Sequence, residues 1–117
     1  MQILFSSIRI YWLQLTVILL ATITTLSLLP LEQLPDAPGG DKLHHLVAYA
    51  ALMLPVALRK PRGWLWLGLA FILWSGGIEL IQPYVNRYGE WLDLLANAAG
   101  IFSGTLIAML VNRFAAD

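Results

Sequence analysis

Asp41, Lys42, His45, Tyr49, Glu79, Gln82, Arg87, Asp93 and Asn97 are the residues of this chain whose types and spacing can carry chemistry. An imidazole held by a carboxylate can accept or give a proton, so His45, oriented by Asp93 or Glu79, is the expected centre of any catalysis. Glu79 is a second candidate proton donor. The Arg87 guanidinium can hold a phosphate or carboxylate through two parallel hydrogen bonds, and Lys42 can do so as a point charge. Asp41, Tyr49, Gln82 and Asn97 supply polar contacts that would orient a bound molecule. No serine or cysteine lies within this set, which leaves a covalent acyl-enzyme poorly supported. A histidine with two carboxylates can also hold a divalent ion. The chain has no H-x-x-x-H or H-E-x-x-H pair, so neither a metal nor another cofactor is expected.

Taken singly, these residues have plain structural uses. Asp41 can cap a helix start while Lys42 snorkels to the headgroups. Asn97 can tie one helix to another, for about 0.6 kcal/mol on average in membrane bundles. Arg87 can be a solvated loop charge, and His44, with no partner on the face of Asp41 and Tyr49, reads as interfacial. Taken together they favour a site, because small residues and a hydrogen bond or two are enough to hold a short bundle. Ionisable groups are costly in hydrocarbon, and where they persist they mark binding, catalysis or a pathway.

The surrounding chain is membrane-like. Of its 117 residues, 59% are hydrophobic and 12% charged, whereas soluble domains average roughly 45–50% apolar and 25% charged. This is the composition of an integral membrane protein of one domain. Lys plus Arg equal Asp plus Glu at seven each, with no basic patch to neutralise phosphates, so nucleic acid is not an expected partner. Cysteine is absent, which removes disulfides and thiolate chemistry.

Four apolar segments follow one another, at about Ile10–Leu29, Asp41–Leu58, Trp64–Gln82 and Trp91–Val111. Each is near the roughly 18–20 residues that a helix needs to cross a bilayer. The first is too long for a signal-peptide core of about 7–15 residues, so it is expected to be retained. Pro30, Pro35, Pro38, Gly39 and Gly40 end it. The runs lack the alternation of barrel strands, which predicts an all-α bundle of four transmembrane helices spanning residues 1–117. Arg9, Arg59, Lys60, Arg62 and Arg113 fall on one side, which would be cytoplasmic and would hold both termini. Lys42 and Arg87 fall on the other. His45, Glu79 and Asp93 then share one depth, in the outer half of the membrane.

Helix phase gathers the same residues. Asp41, His45 and Tyr49 are spaced by four, and each such step drifts only about 40° around the axis. Glu79 and Gln82 share a face, with Gly76 and Gly77 one turn deeper, where a neighbouring backbone can approach. Asp93, Asn97, Gly100 and Gly104 lie within a wedge of roughly 60°. Small residues draw membrane helices together, so Gly100 and Gly104 are expected to turn Asp93 and Asn97 into the bundle.

The series Asp41-Lys42-Leu43-His44-His45 with Tyr49, then Glu79-Leu80-Ile81-Gln82, then Asn86-Arg87 with Asp93, Asn97 and Gly100, resembles the VanZ-like membrane proteins. That family carries D-K-x-x-H on one helix, E-x-x-Q at the end of another, and an R, D and N-x-x-G series leading into the last. The resemblance covers residues 41–104. It implies a small protein of the bacterial cytoplasmic membrane, in a family whose named member lowers susceptibility to teicoplanin, a glycopeptide that acts on cell-wall precursors at the outer face. Residues and resemblance together lead to an outward-facing site that binds or modifies an amphiphilic cell-envelope or glycopeptide-type molecule. The alternatives are a small transporter or channel, and a structural partner of an envelope assembly.

Overall fold

The computed structural model describes residues 2–29, 41–85 and 91–114. Their regular structure is helical throughout: α1 (Gln2–Ile10), α2 (Trp12–Leu28), α3 (Asp41–Arg59), α4 (Trp64–Ile81) continued by a 3-10 turn (Gln82–Val85), and α5 (Trp91–Phe114). The last three helices lie within a few residues of the expected bounds. The first segment differs, because its helix breaks at Tyr11, where ψ is 23°, and α1 is bent from α2 by 77°. The α2 run is therefore 17 residues, and Gln2–Ile10 forms a separate helix.

Among the described residues, Trp64–Tyr84 and Trp91–Phe114 are each long and apolar enough to cross a membrane, and the bent pair α1 and α2 would make a third span if counted as one. Helix α3 does not reach that standard by composition. Its 19 residues include Asp41, Lys42, His44, His45 and Arg59, and most of its large apolar side chains are turned inward, Leu43 and Val47 excepted. α3 packs against α1, α2, α4 and most extensively α5. It supplies Tyr49, Leu52, Met53, Val56, Ala57 and Leu58 to a core completed by Ile23, Phe71, Ile101 and Ala108. A helix enclosed by its neighbours need not be apolar all round, since the neighbours face the lipid. The outer surfaces of α4 and α5 carry exposed Leu65, Leu69, Leu73, Leu95, Phe102 and Leu106, an apolar face suited to lipid.

The α3–α5 contact is set by glycine. A β-carbon at Gly100 would run into the Leu46 carbonyl, and one at Gly104 would lie 2.5 Å from the Ala50 carbonyl oxygen. The two backbones thus touch over a full turn, as small-x-x-x-small pairs allow. Gly76 and Gly77 differ from expectation: a β-carbon at either meets no described atom within 4 Å. α4 is held by side chains instead, for Trp74 Nε1 donates to Thr24 Oγ1 at 2.9 Å and Gln82 Nε2 to the Ser27 carbonyl at 3.0 Å. At the opposite end Arg9 Nη2 donates to Asn112 Oδ1 at 2.6 Å, and Asn112 Nδ2 to the Leu58 carbonyl at 3.4 Å, tying α1 and α5 to the end of α3.

Candidate functional site

The close approach of α3 and α5 places Asp93 and Asn97, both on the first turns of α5, against the polar stripe of α3. Asp93 is 3% exposed and Asn97 2%. Lys42 Nζ lies 2.5 Å from Asp93 Oδ1, and His45 Nε2 lies 3.7 Å from Asp93 Oδ2. One carboxylate thus faces both Lys42 and His45 of α3. Its second oxygen is within ion-pair range of the imidazole but outside hydrogen-bond reach.

Besides the Asp93 carboxylate, His45 meets an amide that the sequence did not point to as its partner: Nδ1 lies 2.9 Å from Asn97 Oδ1. Asn97 Nδ2 in turn donates to Ser75 Oγ at 2.6 Å. Because that amide nitrogen is used toward α4, the oxygen faces His45 as an acceptor, an arrangement that suits the tautomer protonated at Nδ1. A neutral His45 then directs the lone pair of Nε2 toward Asp93, and a protonated one satisfies Asn97 and Asp93 together.

Ser75 escaped the sequence reading. It is fully buried on α4, hydrogen-bonded to Asn97 and to the Tyr49 hydroxyl, with Glu79 close enough to Tyr49 to act on it electrostatically. The signal was its phase, four residues before Glu79 and seven before Gln82 on one helix face. A lone serine in an apolar run attracts no notice.

The structure thus brings Lys42, His45, Asp93 and Asn97 together and joins Tyr49 to them through Ser75, with Glu79 beside Tyr49. Gln82 stands apart, since its amide nitrogen reaches across to α2, while its buried Oε1 has no hydrogen-bond partner among the described residues. Arg87 and the side chain of Asp41 lie outside the described residues. No cluster of three or more histidine or acidic groups arranged to hold a metal occurs among those described. Access is graded: the Lys42 side chain is 40% exposed, that of His45 13% and that of Asp93 5%. An entering molecule meets lysine first, then imidazole, then the buried carboxylate. Such a set can hold an anionic headgroup at its rim and exchange a proton one turn deeper.

A small all-helical bundle with membrane-like apolar helices and a buried polar set shared by three of them is the class that fold and site define. The VanZ/LLP1 family model matches residues 1–112, and the chain belongs to that family. Comparison with curated proteins and with solved structures finds no match.

Proposed function

We propose that this VanZ/LLP1 protein binds, and acts by proton transfer on, an amphiphilic cell-envelope molecule that enters between the start of α3 and the start of α5. The observation that carries the reading is the approach of Lys42, His45 and Asn97 to one buried carboxylate, Asp93, inside an apolar bundle. Lys42 and Arg87 would take a phosphate or carboxylate headgroup, His45 would be the acid or base, and the apolar tail would remain in the lipid. In this reading the chain is a multi-pass protein of the bacterial cytoplasmic membrane with four spans, both termini cytoplasmic and the site in the outer half. The teicoplanin-related activity of the family's named member belongs to the same class of chemistry, since glycopeptides and their targets are envelope amphiphiles.

The test uses polyprenyl phosphate as ligand, with the uncharged polyprenol as control, on purified protein in lipid nanodiscs. Retention is read by native mass spectrometry. The phosphate form is expected to be retained in preference to the alcohol, and Lys42→Ala to weaken it about tenfold or more, the value of a lost charge-assisted hydrogen bond. Equal retention of phosphate and alcohol, or no change in Lys42→Ala, would overturn the reading.

One observation favours a second reading. Asp93, Asn97 and Ser75 are deeply buried, as expected of a network whose whole purpose is to fix three helices for a structural partner. That reading predicts that His45→Gln, which keeps a hydrogen bond and removes the titrating ring, leaves function intact. Loss of polyprenyl phosphate turnover or binding in a folded His45→Gln protein would exclude it. A transport path is disfavoured by Leu52, Met53, Val56 and Ala57, which fill the interior beyond Tyr49 without a polar atom in their side chains other than a thioether.

A further inference from the structure

Asn97 joins the three helices through two hydrogen bonds. Asn97 Nδ2 donates to Ser75 Oγ at 2.6 Å and His45 Nδ1 contacts Asn97 Oδ1 at 2.9 Å. A serine hydroxyl has one proton to give and can accept at the same time. Ser75 is hydrogen-bonded to the Tyr49 hydroxyl, which in turn lies in the field of Glu79. With the Ser75 proton given to Tyr49, Asn97 is held as donor to Ser75 and acceptor toward His45; the field of Glu79 at Tyr49 favours that direction, and Lys42 beside Asp93 Oδ1 offsets the pull of that nearer carboxylate on Nε2. Such chains strengthen link by link in a low dielectric.

We propose that Ser75 is a positioning residue that, held by Tyr49 and Glu79, sets the amide of Asn97 and thereby keeps the neutral His45 proton on Nδ1, leaving Nε2 as the base that faces Asp93 and the entry beside Lys42. This assigns a role to the one buried hydroxyl of α4 in the network and gives Glu79 an action on His45 without contact. Ser75 is wholly enclosed, so it is no nucleophile. The catalytic consequence rests on the function proposed above, whereas the position of the proton does not.

The experiment reads that proton directly, by nitrogen-15 NMR of histidine-labelled protein in nanodiscs with no ligand added. His44→Gln identifies the His45 signals. The wild type is expected to show neutral His45 protonated at Nδ1. Ser75→Ala, which removes the acceptor for Asn97, is expected to lose that signature in favour of the Nε2-protonated form or a mixture, and Ser75→Thr to restore it. Tyr49→Phe, which deletes one oxygen and keeps the packing, gives a second perturbation and is expected to shift the balance the same way. Nε2 protonation in the wild type, or an unchanged Nδ1 signature in both Ser75→Ala and Tyr49→Phe, would overturn the proposal. Because no ligand is present, a failed ligand-binding test leaves this result standing, and the reverse holds as well.

Discussion

Asn97 makes two side-chain hydrogen bonds to two other helices, to His45 on α3 and to Ser75 on α4, while its own residue is almost without exposure. Replacing it by alanine leaves a buried hydroxyl and an imidazole nitrogen short of a partner, which costs about 1–3 kcal/mol per orphaned group before relaxation. Asn97→Ala is therefore expected to lower resistance to unfolding in mixed micelles measurably, and an unchanged midpoint would show that the network is slack. At this scale the sequence was informative where polar residues recur at helical spacing. His45, Asp93 and Asn97 converge as their phases require. It was silent on Ser75, whose neighbours in the chain are apolar or glycine, and it named a carboxylate beside the histidine but not the amide, because charge is visible in a sequence and amide orientation is not.

Helix packing explains which glycines matter. Gly100 and Gly104 sit where α5 meets the α3 backbone, and a methyl group at Gly104 would lie 2.5 Å from the Ala50 oxygen. Gly104→Ala must push the helices apart, at about 1–3 kcal/mol, typical of overpacking. Gly76→Ala meets open space, so helix propensity alone should make it neutral or stabilising by up to about 1 kcal/mol. Unfolding titrations of the two variants would separate them, and equal effects would contradict the packing assigned here. A glycine in a sequence carries no sign of which neighbour approaches it, which is why Gly76 and Gly77 read the same as Gly100 and Gly104. The α1–α2 bend was illegible for a related reason: Tyr11 is neither proline nor glycine, and the apolar run passes through it. The bend is accompanied by the Arg9–Asn112 contact. Asn112→Ala should release α1, seen as faster hydrogen exchange across Gln2–Ile10, whereas unchanged exchange would mean the Phe5 and Ile8 packing suffices.

For the whole molecule, the arrangement is a more polar helix, α3, packed among more apolar partners. Hydropathy along the chain suggests four similar spans, but burial divides the work unequally: α4 and α5 share the site while exposing large apolar faces, and α3 supplies most of the core. The topology inferred from the basic residues predicts that a cysteine placed at Lys60 is labelled only from the cytoplasmic side and one at Lys42 only from outside. Labelling of both from one side would overturn the single-depth site. The central claim, that the α3–α5 junction receives an envelope amphiphile, is tested most directly by photocrosslinking in nanodiscs with a polyprenyl phosphate that carries a diazirine next to its phosphate. Adducts concentrated at the start of α3 and the first turns of α5, around Lys42, His45 and Asp93, and reduced in Lys42→Ala, are the expected result. Adducts spread over the lipid-facing surfaces at Leu69, Phe102 and Leu106, and insensitive to Lys42→Ala, would contradict the account.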